Sequence, residues 1–169
     1  FLNRGQNVPY EDVFYVNKEI SIEGGKKILV ETAFQYTNDI QAREISFANN
    51  IHTPDGGMHL TGFRTTLTRT LNDYARKNEY IKKEEEGFTG DDVREGLTVV
   101  VSVKLPDPQF EGQTKAKLGT PDARTAVETV VGEALQSYLD KSPDIAKVII
   151  AKVILAAKAR IAAKAARET

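Results

Sequence analysis

The sequence predicts an α+β fold, a two-layer sandwich in which helices stack on one face of a single sheet. Three observations predict it. Residues 12–51 hold three segments rich in β-branched and aromatic residues, separated by turn signals. Residues 57–77, 121–140 and the stretch from Pro143 onward carry apolar residues at helical spacing. A dense apolar run, "LTVVVSVKL" (97–105), lies between the first two of those helices. The order βββ-α-(short α)-β-α-α keeps strands and helices in separate runs, and such a chain buries both by laying helices on a sheet.

The first strand is "DVFYVNKEI" (12–20), and Gly24-Gly25 is a hairpin signal behind it. "ILVETAFQYT" (28–37) alternates imperfectly and is the second strand; "TND" turns the chain. "AREISFANNI" (42–51) is the third, with Ile45 and Phe47 on one face. Three consecutive strands with short turns imply an antiparallel meander. "HTPDGG" then leads into a helix whose buried stripe is Leu60, Phe63, Leu67, Leu71 and Tyr74. Gly62 inside that helix costs about 0.5–1 kcal/mol relative to Ala, which suggests close packing against something. "KKEEEG" is a solvated charge run.

"TGDDVREG" (89–96) fits a short helical turn. Thr89 and Asp92 form a capping-box pair, and Gly96 suits a stop. The run 97–105 is nearly all apolar in its middle, as expected of a strand covered on both faces. Pro121 and Asp122 start the next helix, whose core face is Val127, Val130, Val131, Leu135 and Leu139. In the last helix Ile145, Val148, Ile149, Val153 and Ala156 form a packing stripe. Beyond about Ala157 the residues are Ala, Lys and Arg, which stay helical by propensity alone, so this part reads as a rod leaving the domain.

Composition narrows the function classes. A chain of 169 residues suits one domain, or one domain with an appendage. With no cysteine, disulfides, thiol nucleophiles and Cys-based zinc sites are excluded. His52 and His59 lie close together, but nothing nearby completes a metal-ligand set, so no metal site is expected. Net charge is -1, yet from Asp144 onward six bases (Lys147, Lys152, Lys158, Arg160, Lys164, Arg167) face two acids (Asp144, Glu168). No apolar run reaches the ~20 residues that span a bilayer, and no signal peptide is present; a cytoplasmic protein is expected. Residue 1 is Phe, the one methionine is Met58, and "KAARET" breaks off within a helical pattern, so a piece of a longer protein is expected.

The stretch "PDPQFEGQTKAKLG" (106–119) carries the most chemistry. A Walker A loop needs G-x-x-x-x-G-K-[ST], so that backbone amides wrap the phosphates before the lysine reaches them. This loop lacks that spacing and cannot cradle a nucleotide alone. It could deliver one ammonium, Lys115, to a phosphate held elsewhere. Pro106 and Pro108 stiffen the stalk, and Gly112 and Gly119 bracket a mobile tip. The competing reading is a solvated loop with three exposed lysines, Lys104, Lys115 and Lys117.

In "NNIHTPDGGMHLTGFR" (49–64), Gly56-Gly57 either exposes amides to an anion or makes a tight β-to-α connection, and the second reading is preferred. His59 reads as a packed or capping histidine, since no Ser-His-Asp arrangement recruits it. Arg64 sits beside Phe63 at the edge of the buried stripe, with Arg69 on the same helix; an edge arginine snorkels to solvent or faces a phosphate backbone. The basic rod is likewise a solvated helix or a DNA-proximal connector.

Taken together, "FANNIHTPDGGMHLTGFRTTLTRTLNDYA", "GDDVREGLTVVVSVKLPDPQFEGQTKAKLG" and "AAKARIAAKAARE" resemble the transducer domain of bacterial DNA gyrase B subunits, which are type IIA topoisomerases. The topoisomerase IV B subunits are similar. The resemblance covers essentially the whole chain. Met58 departs from the family's usual Thr, and Thr120 from a frequent Asn. It implies the fold of ribosomal protein S five, domain two, with a left-handed β-α-β crossover, an exception to the usual hand. It implies a transducer core over 1–142 and a connector helix over 143–169, between an ATPase domain of the GHKL type and a TOPRIM domain, neither of which is in this chain. "FLNRGQ" resembles the end of the helix that follows the ATPase domain.

Further implications come by motif. Lys115 matches the lysine that contacts the γ-phosphate of ATP bound in the GHKL domain, with Gln113 beside it. Arg64 matches an arginine lining the cavity through which DNA passes. The implied cofactor is ATP with magnesium in the full-length enzyme, with none bound by this chain alone. The implied partners are DNA, the gyrase A protein, the two adjoining domains and a second B subunit. Topoisomerase IV, a free-standing nucleic-acid-binding module and a purely structural interaction domain stay open as alternatives.

Overall fold

Strands β1 (Phe14–Ser21) and β2 (Lys27–Tyr36) form a hairpin in the computed structural model, which describes residues 1–168. Gly24 and Gly25 turn it with φ of 84° and 76°, left-handed values that glycine adopts without steric cost.

The next strands do not continue a meander. Strands β3 (Arg43–Ala48), β4 (Ile51–His52) and β5 (Leu97–Lys104) complete a mixed sheet in the order β1-β2-β5-β3-β4. The last of them in sequence is the central one, antiparallel to β2 (Phe34 opposite Val99) and parallel to β3 (Ile45 opposite Val100). The reason is burial. Leu97, Val99, Val101 and Val103 are all fully buried. A meander would push this row to an edge, with its valines and half its backbone groups in water. More polar strands take the margins instead, including β1, whose Tyr15 is exposed.

Two further expectations are corrected. The third strand ends at Ala48 and not at 51, because Asn49 and Asn50 adopt φ of 50° and 66°. Asn tolerates that region better than most residues, and the turn sends β4 back along β3. Nor is β5 covered on both faces. Val100 and Ser102 are only partly buried and Lys104 is exposed, so the helices cover one side.

That cover is α1 (Met58–Lys77) and α3 (Pro121–Lys141), packed on each other and on the sheet. The short α2 (Gly90–Arg94) follows α1, and α4 (Pro143–Glu168) lies against α2 and α3. The connection from β3 through α1 and α2 to its parallel neighbour β5 is the β-α-β crossover. Close packing explains Gly62: a Cβ there would stand 2.7 Å from the carbonyl oxygen of Arg124 on α3. Phe14, Phe34, Tyr36 and Phe63 join sheet to helices through ring contacts of 4.7–6.0 Å. The Tyr36 hydroxyl donates to the Val93 carbonyl at 2.6 Å, tying β2 to α2.

The capping box of α2 forms as expected. Thr89 N–H donates to Asp92 Oδ2 at 2.9 Å, and Asp92 N–H to Thr89 Oγ1 at 3.3 Å. Asp92 also accepts Arg160 Nε from α4 at 3.1 and 3.2 Å. Ala146, Ile149, Ile150, Val153, Ala156 and Ala157 of α4 are buried, whereas every described residue beyond Arg160 is exposed. The rod therefore departs at Arg160. Thr169, the end of the expected connector, lies outside the described residues. Among the described residues, no helix is long and apolar enough to cross a membrane.

Candidate functional site

From the end of β5 the chain runs out and back as an arm. Two-residue strands β6 (Phe110–Glu111) and β7 (Lys117–Leu118) pair antiparallel, Phe110 with Leu118 and Glu111 with Lys117. Residues 112–116 form the tip. Gly112 begins it at φ 79°, in open space. Gln113, Thr114 and Lys115 are all exposed there.

Lys115 stands apart from its neighbours in two ways. Its φ is 56°, a left-handed value that costs an L-residue roughly 1–2 kcal/mol. Such outliers collect at ligand clamps and active sites. Lys117 is engaged across the ribbon by Glu111 at 3.3 Å. No carboxylate among the described residues lies within ion-pair distance of the Lys115 ammonium, whose nitrogen is 6.0 Å from the centroid of the Phe110 ring, at the outer limit of a cation–π contact.

The arm is rooted at both ends. On the outgoing limb, Asn49 Nδ2 donates to the Leu105 carbonyl and Leu105 N–H donates to Asn49 Oδ1, both at 2.9 Å. On the returning limb, Asp55 N–H donates to the Ala116 carbonyl at 2.9 Å and Leu118 N–H to the Gly56 carbonyl at 3.0 Å. Between the limbs, Gly119 N–H donates to the Gln109 carbonyl at 2.7 Å, and Gln109 N–H to Thr120 Oγ1 at 2.8 Å. Gly57 has φ 130°, and a Cβ there would overlap the Leu118 carbonyl oxygen. Gly56-Gly57 is thus the tight connection, packed by the arm.

The two histidines lie apart in character. His59 is fully buried, its Nε2 3.0 Å from Thr53 Oγ1, which in turn lies 2.7 Å from Ser46 Oγ. Burial pushes its pKa down to about 4, so it is neutral at pH 7. Its Nδ1 has no hydrogen-bond partner among the described residues. His52 is exposed, with its ring 5.5 Å from Phe47.

Arg64 projects from α1 to Glu44 on β3, donating through Nε and Nη2 at 2.7 Å each. Its fork is thus occupied by a carboxylate, although the side chain remains 42% exposed. Arg69 lines a cleft of about 310 Å³ between α1 and α3 with Asp73, Tyr74, Glu128, Gly132 and Asp140; the arm is not part of that cleft.

The structure therefore brings Gln113 and Lys115 together on one tip and leaves Arg64 in a separate ion pair. Sequence reasoning missed the Asn49 socket, and it read Gly56-Gly57 as a tight connection without seeing that the arm packs on it. The signal for both was the two doublets, Asn-Asn and Gly-Gly, each a site of left-handed backbone. Chemically, the tip can offer one ammonium and one carboxamide to an anion. It has no run of converging amides to enclose one.

A family model described as DNA gyrase B matches residues 1–169. The gyrase B subunit of Streptococcus pyogenes serotype M3 is 52% identical over 168 residues, 99% of this chain and 25% of that protein. That of Clostridium acetobutylicum is 48% identical over the same length, covering 26% of it. The chain thus spans about a quarter of the length of these two relatives. Among solved structures, the 43K ATPase domain of Thermus thermophilus gyrase B, in complex with an aminocoumarin, superposes with a TM-score of 0.87 at 44% identity, covering 99% of this chain and 43% of that one. The topoisomerase IV ATP-binding domain of Francisella tularensis gives 0.76 at 32% identity, covering 88% and 40%.

Proposed function

Since the chain belongs to the DNA gyrase B family, we propose that it is the transducer domain of an ATP-dependent type II topoisomerase. In this reading it couples nucleotide state to DNA passage between a GHKL domain and a TOPRIM domain of the same polypeptide. Its partners in the assembled enzyme are DNA, the gyrase A protein and a second B subunit. The observation that carries the reading is the arm: an exposed tip, rooted at both ends, that holds Lys115 in a strained backbone conformation with no carboxylate partner among the described residues.

The residues fit ATP only as an outside contact. Lys115 and Gln113 are the right types for the terminal phosphate, and the enclosing amides, the adenine pocket and the magnesium ligands belong to the GHKL domain. When bound there, ATP supplies the phosphoryl group whose oxygens gain negative charge during hydrolysis. An ammonium positioned at those oxygens stabilises that charge more than it stabilises the ground state. Lys115 is therefore a catalytic residue in this reading, with Gln113 orienting the same phosphate. Loss of the γ-phosphate removes the contact that distinguishes the two orientations of the domain. A ligand shifts such an equilibrium only by its differential affinity. Arg64 lines the DNA passage in this proposal, and Glu44 holds its guanidinium extended.

The test is Lys115→Ala in the full-length B protein, reconstituted with its A partner. ATPase and supercoiling rates fall roughly 100-fold, while ADP affinity is unchanged. Wild-type rates in both assays would sink the proposal. A second reading, the B subunit of topoisomerase IV, draws on the weaker similarity to the Francisella domain. Decatenation without supercoiling by the assembled enzyme selects it.

A further inference from the structure

We infer that Asn49 and Gly57 are positioning residues for Lys115, and that through Gly57 the arm is mechanically joined to the start of α1. The inference rests on the reading of Lys115 above. It starts from where the arm is fastened. The outgoing limb follows Leu105, and both backbone groups of Leu105 are held by the side chain of Asn49. Asn49 N–H also donates to the Val103 carbonyl at 2.9 Å, so one residue fixes the end of β5 and the root of the arm.

The residue type at 49 is specified twice. Its φ of 50° favours Asn, Asp or Gly. The N–H and the carbonyl of Leu105 need one acceptor and one donor from a single side chain, and of those three only the carboxamide has both. Asp lacks the donor and Gly lacks both groups.

The returning limb is fastened differently, by backbone alone. Ala116 is the residue after Lys115, and its carbonyl accepts from Asp55 N–H. Leu118 N–H donates to the Gly56 carbonyl, and Leu118 pairs with Gly57 as a parallel bridge. Helix α1 begins at the very next residue, Met58. The ammonium is therefore one residue from a hydrogen bond to the segment that launches a 20-residue helix. That helix carries Arg64 and the buried stripe against α3. Beyond the stem of Lys115 itself, a pull on that residue reaches the backbone of residues 55–57, just before α1, through two main-chain hydrogen bonds and no further side chain. Gly57 has to be glycine for this, because a Cβ would push Leu118 away.

The experiment uses the full-length B protein with its A partner. Asn49→Gly keeps the left-handed backbone and removes both side-chain bonds. Expected is a fall in kcat for ATP hydrolysis of roughly 10- to 100-fold, the scale of an ångström-level misplacement. ADP affinity, which needs no γ-phosphate contact, is unchanged. Adding Asn49→Gly to Lys115→Ala produces no further loss, because both act through one ammonium.

Gly57→Ala gives the same pattern and also slows closure of the B dimer driven by a non-hydrolysable ATP analogue. Where Asn49→Gly prevents folding, Asn49→Asp, which retains the acceptor for Leu105 N–H, shows a smaller fall in kcat of the same kind. Wild-type kcat in folded Asn49→Gly overturns the inference. So does a parallel loss of ADP affinity, or a double variant whose losses multiply. If Lys115→Ala itself has wild-type kcat, the function proposed for Lys115 fails first and takes this inference with it. If only Lys115→Ala is impaired, the inference alone fails.

Discussion

Two glycines at the seam between α1 and α3 are expected to respond oppositely to the same substitution. A methyl group added at Gly62 would stand 2.7, 3.1 and 3.3 Å from the O, Cα and C atoms of Arg124, all main-chain atoms of α3. Relief requires the two helices to part. A methyl group added at Gly132 meets the Thr66 hydroxyl at 2.9 Å and then the Arg69 guanidinium at 3.9 Å, both side-chain groups that can rotate. Replacing Gly by Ala inside a helix contributes up to ~1 kcal/mol of stability in either case. Overpacking that shifts backbone costs about 1–3 kcal/mol. Gly62→Ala is therefore destabilising by about 1 kcal/mol net, a fall in Tm of ~2–4 °C for a chain of this size. Gly132→Ala is neutral, or stabilising by ~0.5 kcal/mol once the helix gain is set against a Thr66 rotamer change. Urea unfolding followed by circular dichroism reads both. A Gly62→Ala variant as stable as the parent, or an inverted order of the two, would show that propensity and not close approach governs the seam.

The buried His59 makes stability pH-dependent. Its pKa is about 4 folded against 6.5 unfolded, so the unfolded chain binds the extra proton between those values and stability falls as pH drops below 6.5. At ~1.4 kcal/mol per pH unit, roughly 2 kcal/mol is lost by pH 5, and His59→Gln should flatten this part of the urea-midpoint profile; an unchanged slope refutes the assignment. Arg64 and Glu44 should show a coupling of ~0.5–1 kcal/mol in a double-mutant cycle, after allowance for solvent screening of a partly exposed arginine. That coupling should shrink on adding about 0.5 M salt, and a salt-independent value contradicts it. Thr89→Ala should cost about 1 kcal/mol as a lost cap. Asp92→Ala should cost more and speed hydrogen exchange over residues 153–160, because Asp92 also holds Arg160; equal costs and unchanged exchange would mean the tie does not secure α4.

Much of the local structure was legible because its causes are local. The Thr89–Asp92 box, the Gly24-Gly25 turn and the helical stripes each depend on residues within a few positions. Sheet order was not legible, since β3 meets β5 across more than fifty residues and consecutive strands read naturally as neighbours. The run "TVVV" concealed a period of two, because Val100 is apolar on the half-open face and hides the alternation. Strands β6 and β7 have two residues each, too few to show any period. At the arm, spacing alone excluded a Walker loop and went no further; family resemblance singled out Lys115. The Asn49 socket joins positions 56 residues apart, and only the Asn-Asn doublet hinted at it.

The central place of β5 bears on how the domain is made. During synthesis the β1–β2 hairpin can close as soon as it emerges, but β3 has no mate in the main sheet beyond the two residues of β4 until residue 104 has left the ribosome. Through that interval α1 has an apolar stripe and an unfinished sheet to lie on. Its other support, α3, arrives later still. The last strand of the main sheet to appear thus admits the earlier ones, and non-local closure of this kind is slow and leaves strands open to wrong pairing. Nascent chains halted before β5 should remain sensitive to protease over residues 43–77, and those halted after α3 should not.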